Sequence, residues 1–318
     1  MPDHTFSSSA ESIWQAVMAM GLPSLAGFSV EILPEIDSTN TELMRRARAG
    51  RTEPTLLVAQ HQTAGRGRLG RQWHSDAPTP LATGLEVTSR SLTFSLGLLL
   101  QPQAWDGLSL AVGVSVASSL HPRVQLKWPN DLWVGDHKLA GILIETQQTQ
   151  GHSAAAGRAS TPGKARYAVI GVGINIAPGL PEGLGGVSTP PAALTQLEPS
   201  MTASQALNRV AAALLRDVLQ FEREGFAAFA TRFAERDALA GRPLQLSDGT
   251  QGTGCGVDAQ GALRVRTASG EQRVSSNEVS VRPTAGPIAA PSAVPIAAPP
   301  AAPHALQPNT PDPAQRSR

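Results

Sequence analysis

Only one cysteine, Cys255, occurs in the 318 residues. That excludes an internal disulfide framework and every zinc site built from paired cysteines, and it suits a reducing compartment. An excess of charge is also missing. Twenty-six basic side chains stand against 25 acidic ones, a formal net charge of +1, so nothing in the global balance draws the chain to nucleic acid or to an anionic membrane, and any basic site has to be local. The longest apolar runs, Phe94 to Leu100 and Leu108 to Ala117, fall short of the ~20 residues a bilayer-spanning helix needs, and Met1–Ala10 lacks the features of a signal peptide. Together these absences predict a cytoplasmic protein. Lysine is scarce too: Lys127, Lys138 and Lys164 are the only three among the 26 basic residues. GC-rich coding alone produces such a bias, and chance survival is one reading of the three; the other is that Lys127 and Lys138, in one dense stretch, mark a place for a compact ammonium where a guanidinium fork does not fit.

What is present suffices for a core, since 41% of residues are hydrophobic. Residues 1–30 read as a helical extension, with Ser8 and Glu11 as a capping box ahead of Ile13, Trp14, Val17 and Met18. Thr39 and Glu42 repeat that signature before Leu43, Met44 and Ala47, and Gly50 supplies the stop. Strands are predicted at 55–61, 124–128, 132–134, 138–145 and 167–176, and helices at 108–120, from Thr202 through Phe221, and a second one after it to about Arg236. The expected organisation is an α/β domain over 31–237, followed by a small β-barrel over 238–283 punctuated by Asp248-Gly249, Gln260-Gly261 and Ser269-Gly270. Gln147–Arg166 has no large apolar side chain and reads as a long flexible hairpin loop. Residues 284–318, with nine prolines, ten alanines and no aromatic, read as a disordered tail.

Three segments can carry chemistry. Gly65-Arg-Gly-Arg-Leu-Gly70 matches a dinucleotide-binding fingerprint literally, but the prolines that follow deny it the helix that fingerprint must open. It offers instead Arg66, Arg68 and Arg71 on a glycine-jointed loop able to close over a polyanion. Lys127-Trp-Pro-Asn-Asp131 is followed by Lys138-Leu-Ala-Gly-Ile-Leu143, and Pro129 in a hairpin strand predicts a bulge or an edge. Ile170-Gly-Val-Gly-Ile-Asn-Ile176 lets a strand backbone approach a flat ligand, and Asn175 needs either a ligand or core partners. Asp131, Asp136 and Glu145 form an imaginable acid–base set, though Asp136 beside Gly135 reads better as a turn residue. There is no nucleophile elbow and no H-x-x-x-H spacing, so neither a serine hydrolase nor a zinc enzyme is indicated.

Taken in order, Asp37-Ser-Thr-Asn40, Gln62-Thr-Ala-Gly-Arg-Gly-Arg68, Lys127–Asp131, Lys138–Leu143 and Gly171-Val-Gly-Ile-Asn175 resemble the biotin–protein ligase family. The resemblance covers roughly Leu33 to Arg282. It implies a mixed sheet with flanking helices related to class II aminoacyl-tRNA synthetases, plus an SH3-like C-terminal barrel. It also implies ATP and Mg²⁺ as cofactors, biotin as substrate, and a biotin carboxyl carrier domain of acetyl-CoA carboxylase as acceptor. By that resemblance Lys138 holds the biotin carboxylate, while Gly65, Arg66, Gly67 and Arg68 fold over the adenylate and Arg71 and Trp73 assist at the nucleotide. Ser38, Thr39, Asn40 and Gln62 meet the ureido ring, and Gly141, Gly171 and Gly173 leave room for it. Asn130, Asp131 and Asn175 are the candidates for phosphate and Mg²⁺, and Asp131 for helping to deprotonate the acceptor lysine. The hydrogen-bonding set at Ser38–Asn40 and Gln62 favours biotin over the apolar dithiolane of a lipoate or octanoyl transferase. With 36 residues ahead of Asp37, a monofunctional ligase is expected in place of a DNA-binding regulator. Weak sheet-mediated dimerisation is a further implication. Leu69 departs from the pattern, standing where bifunctional members carry another arginine.

Overall fold

The computed structural model describes residues 4–75, 79–80, 87–148, 165–178, 191–275 and 281–284. The expected loop at 147–166 and the expected tail lie almost wholly outside them.

Among the described residues, nine strands fall in the first two-thirds of the chain: β1 (Ser29–Ile36), β2 (Thr55–Gln62), β3 (Thr79–Pro80), β4 (Val87–Thr88), β5 (Ser91–Leu100), β6 (Gln125–Lys127), β7 (Asp131–Val134), β8 (His137–Gln148) and β9 (Arg166–Asn175). All but the β3–β4 ribbon join one sheet, in the order β1-β2-β5-β9-β8-β7-β6. The β1–β2 pair is parallel and every other pair antiparallel, which gives the mixed sheet the resemblance implied.

The two faces of this sheet differ because side chains alternate along each strand. Leu56, Val58, Leu92, Phe94, Leu96, Ile170, Val172 and Ile142 point into the main core. That face is covered by α3 (Leu108–Leu120) and α4 (Ala203–Glu224), with α1 (His4–Met18) packed on α4. The opposite face packs Leu57, Tyr167 and Val169 against Leu43, Met44 and Ala47 of α2 (Thr39–Arg48). Burial on both sides explains why β9 reads as a nearly continuous apolar run.

Local expectations were partly corrected. Ser8 and Glu11 lie inside α1, which already begins at His4, so they form no cap. The α2 cap is Ser38, whose Oγ accepts from Thr41 N at 3.4 Å, and Thr39 is the first helical residue. Trp128-Pro129-Asn130, with a cis Trp128–Pro129 peptide, is not a bulge, and it follows β6, the edge strand of the sheet. It is the turn of the β6–β7 hairpin, and the register shift falls instead at Leu132/Trp133 between β7 and β8. Gly135-Asp136 turns the next hairpin as expected, with Gly135 at φ 59°. The α4 spacing held, and Thr202 and Gln205 close a reciprocal cap at its start.

After α5 (Ala230–Ala234), strands β10 (Pro243–Leu246), β11 (Gln251–Val257), β12 (Leu263–Thr267), β13 (Gly270–Val274) and β14 (Val281–Pro283) form a five-stranded antiparallel sheet. It is tied to the larger sheet through Leu126, whose N–H donates to Arg236 O at 2.7 Å and whose carbonyl accepts from Ala238 N at 2.9 Å. Trp128 Nε1 adds a bond to Gly261 O at 3.0 Å.

Asp237 sits in this junction with its Oδ1 accepting from Leu239 N at 2.8 Å and its Oδ2 buried without a partner. Burial pushes its pKa up to about 6 from 3.8, against the pull of the Leu239 and Ala240 amides. Between those two pH values the native carboxyl keeps a proton the unfolded chain has lost. The stability it lends is therefore complete below pH 3.8 and gone above 6. Asp237→Asn should raise stability at neutral pH by about 2 kcal/mol, a gain that fades as pH falls from about 6 towards 3.8. Melting temperatures near neutral pH and near pH 4 check this, and equal gains at both would refute it.

Candidate active site

Strand register builds the floor of the site. Thr93, Gly173 and Gly141 are directly paired across β5, β9 and β8, and the next row on the same face is Leu57, Ser95, Gly171 and Leu143. Small residues in both rows leave a depression beside α2. The cavity above them holds about 440 Å³ and is closed on its other side by the arginine loop, the β6–β7 turn and the end of β14.

At one end the polar groups are neutral and bonded to one another. Gln62 Oε1 accepts from Thr39 N at 2.8 Å and from Thr39 Oγ1 at 3.2 Å. Ser95 Oγ lies 2.7 Å from Thr39 Oγ1 and 2.6 Å from Asn40 Oδ1. The Asn40 amide donates to Leu143 O at 3.3 Å and Glu145 Oε2 at 3.1 Å. Such a network fixes side-chain orientation before any ligand arrives. The space beside Gly171 is taken by Asn40, with a Cβ there falling 2.9 Å from Asn40 Cγ, and that beside Gly173 by the Trp73 ring, 2.6 Å from Cζ2. These glycines thus make room for the protein's own side chains.

The other end is cationic. Lys138 Nζ contacts Asp131 Oδ1 at 2.7 Å, and Lys127 Nζ lies 3.9 Å from Asp131 Oδ2. Lys127 also sits 5.6 Å from the Trp133 ring centroid. Its burial lowers the pKa, as do Lys138, Arg71 and Arg282 nearby, while Asp131 opposes them. Burial likewise lowers the pKa of Arg68. Among the described residues the lining contains seven cations, Arg66, Arg68, Arg71, Lys127, Lys138, Arg242 and Arg282, against the carboxylates Asp131 and Asp136. A chain of formal charge +1 has concentrated its positive potential in one place.

Backbone bonds fold the arginine loop back on itself, Trp73 N to Gly65 O at 2.9 Å and Gly67 N to Arg71 O at 2.8 Å. Gly65 has no room for a Cβ because it would run into the Trp73 carbonyl. Arg66 is anchored to Glu145 at 3.1 Å, and Arg68 reaches Asn130 Oδ1 at 3.4 Å. At the tip Leu69 is 67% exposed and holds φ 55°.

These elements share their arrangement with known proteins. The biotin/lipoate A/B protein ligase family matches residues 32–157, and the biotin protein ligase C-terminal domain matches 245–282. The bifunctional ligase/repressor BirA of Salmonella typhimurium is 34% identical over 80% of this chain and 74% of its own. The biotin–[acetyl-CoA-carboxylase] ligase of Paracoccus denitrificans is 32% identical over 78% and 98%. The chain belongs to the biotin protein ligase family. Among solved structures, a biotin protein ligase from Aquifex aeolicus in complex with biotin and ATP superposes with TM-score 0.62 at 25% identity, covering 80% of this chain and 99% of that one.

In this biotin protein ligase the residues expected from sequence converge on the cavity, with two exceptions, Gly65 and Asn175. Ser38, Thr39, Asn40, Gln62, Arg66, Gly67, Arg68, Arg71, Trp73, Asn130, Asp131, Lys138, Gly141, Gly171 and Gly173 all line the cavity. Gly65 lies just behind, in the loop's base. Asn175 does not line the cavity. Its amide donates to Lys138 O at 3.2 Å and Ala192 O at 3.0 Å, so it steadies the strand that carries Lys138. Asp136 pairs with Arg242 at 2.6 Å and serves the turn and the β10 junction. Sequence reasoning missed Ser95, Glu145 as the Arg66 anchor, and Arg242 and Arg282. Ser95 had a signal: Ser91, Thr93, Ser95 and Gly97 alternate with Leu92, Phe94, Leu96 and Leu98, a half-polar strand.

Proposed function

We propose that the chain joins biotin to ATP, releasing pyrophosphate, and passes the biotinyl group from the resulting adenylate to a lysine of a carrier domain such as that of acetyl-CoA carboxylase. The observation that carries this reading is one cavity with a neutral hydrogen-bonding end and a cationic end of seven basic groups. A uréido ring needs the first, and a carboxylate meeting a triphosphate needs the second.

The carboxylate is already an anion and requires no base. Its obstacle is repulsion by the phosphates, so the protein's contribution is positioning and charge neutralisation. Lys138 holds the carboxylate, Arg66, Arg68 and Arg71 face the nucleotide, and the folded loop shields the mixed anhydride from water. In the second step the acceptor amine attacks the acyl carbon, AMP leaves, and Asp131 takes up the proton.

A resident Mg²⁺ does not fit these residues. No three His, Cys, Asp or Glu side chains converge among the described residues. Asp131 is held by Lys138 at 2.7 Å, and Asn175 turns its amide to carbonyls. A magnesium ion accompanying ATP would rely on phosphate oxygens and water. No described helix is long and apolar enough to cross a membrane.

The test is incubation of the full chain with ATP, Mg²⁺, biotin and a carrier domain, followed by intact mass. Addition of one biotinyl group is expected. Failure to label, or equal labelling with lipoate, would overturn the reading.

A further inference from the structure

Lys127, one of only three lysines in the chain, adds charge to the cationic end of the cavity without an individual contact assigned to it. Its side chain is 13% exposed, and Asp131, 3.9 Å away, is the sole carboxylate within 4.0 Å of it among the described residues. Lys138 occupies the other oxygen of the same carboxylate at 2.7 Å. Asp131 therefore has one lysine on each of its carboxylate oxygens.

Counting charge across these three groups exposes a difficulty for Lys138. Paired with Asp131 alone it would be a neutral couple, and an approaching carboxylate would meet as much repulsion from Asp131 as attraction from Lys138. With Lys127 on the second oxygen the three groups carry one net positive charge, matched to one anionic substrate group. Among the other neighbours Asn130 is neutral and Arg66 is paired with Glu145, while Arg68 also feels Asp131 but reaches Asn130 Oδ1 at 3.4 Å, which leaves Lys127 as the second ammonium on the carboxylate itself.

We infer that Lys127 is a positioning residue that neutralises Asp131 and so frees Lys138 to bind the carboxylate of the acyl substrate, setting the preference for an anionic over a neutral substrate tail. The inference rests on the function proposed above. It asks for no contact between Lys127 and the substrate.

Calorimetry with biotin and with biotinol, which keeps the ring and replaces the carboxylate by a hydroxyl, separates the roles. Lys127→Gln should weaken biotin on the order of tenfold and leave biotinol within about twofold. Lys127→Arg should keep the wild-type ratio, and the double variant Lys127→Gln/Asp131→Asn should recover most of the biotin affinity, because the unneutralised carboxylate is gone. If Gln at 127 prevents folding, Lys127→Met, which retains the apolar stem, carries the same comparison. Equal weakening of biotin and biotinol would mean a packing role and overturn the inference. So would an unchanged ratio with only ATP binding reduced, which would make Lys127 a phosphate contact. A wild-type chain that binds neither compound would sink the proposed function itself, whereas a wild type that binds both beside a variant with an unchanged ratio would sink this inference alone.

Discussion

Lys138→Ala is expected to lower adenylate formation by two to three orders of magnitude, about 3–4 kcal/mol of barrier, the usual cost of losing a charge-stabilising group in a water-poor site. The ammonium lies 2.7 Å from Asp131 at the cationic end of the cavity. Removing it leaves Asp131 facing the incoming carboxylate, offset by the more distant Lys127 and by the field of Arg68. Arginine should rescue little. A Cβ at Gly141 would stand 3.3 Å from both Cε and Nζ of Lys138, so the side chain runs in a slot sized for a thin stem, and a planar fork needs more width. Pyrophosphate release at saturating ATP measures the effect, with biotinol affinity as a control that should stay near wild type. Retention of more than about a third of the wild-type rate would show that the carboxylate is neutralised elsewhere, with Arg71 and Arg282 the next cations to examine.

How far the sequence exposed this site depends on what kind of interaction made each part. The cationic groups announced themselves because local motifs carried them: Arg66 to Arg71 on a glycine-jointed loop, Lys127 to Lys138 across two tight turns. The helix that presents Thr39 and Asn40 was legible from its own cap and stop, displaced by one residue because Ser38 and not Thr39 caps it. What stayed hidden were relations between strands distant in the chain. That Ser95 meets Gly171, and Thr93 meets Gly173, is fixed by β5–β9 pairing, and no local signal states which strand will be the neighbour. The glycines illustrate the same limit. Read alone, Gly171-Val-Gly173 suggested space for a ligand, yet the pairing register delivers that space to Asn40 and Trp73. Asn175 was ambiguous for a related reason, since its carbonyl partners on Lys138 and Ala192 lie 37 and 17 residues away.

Gly171→Ala should cut biotin affinity at least a hundredfold, about 3 kcal/mol, while leaving the sheet intact. Alanine suits an extended strand, and Gly171 is not in the left-handed region, so the backbone has no objection. The new methyl would collide with Asn40 Oδ1 and lie 2.9 Å from its Cγ. Asn40 cannot swing aside cheaply, because it would give up Ser95 Oγ, Leu143 O and Glu145 together, and buried polar groups left unpaired cost about 1–3 kcal/mol each. Displacing it also disturbs Thr39 through the shared Ser95 hydroxyl, and Glu145 ties the disturbance to Arg66 of the loop. A stability loss of about 1–3 kcal/mol is expected from overpacking. The double variant Gly171→Ala/Asn40→Ala separates the two consequences: with the colliding amide gone, melting temperature should return most of the way, but biotin affinity should not, because the group that met the ligand has gone too. If the single variant binds biotin as tightly as wild type, then Asn40 neither touches the ligand nor orients what does, and the neutral end of the cavity would have to be rebuilt around Gln62 alone.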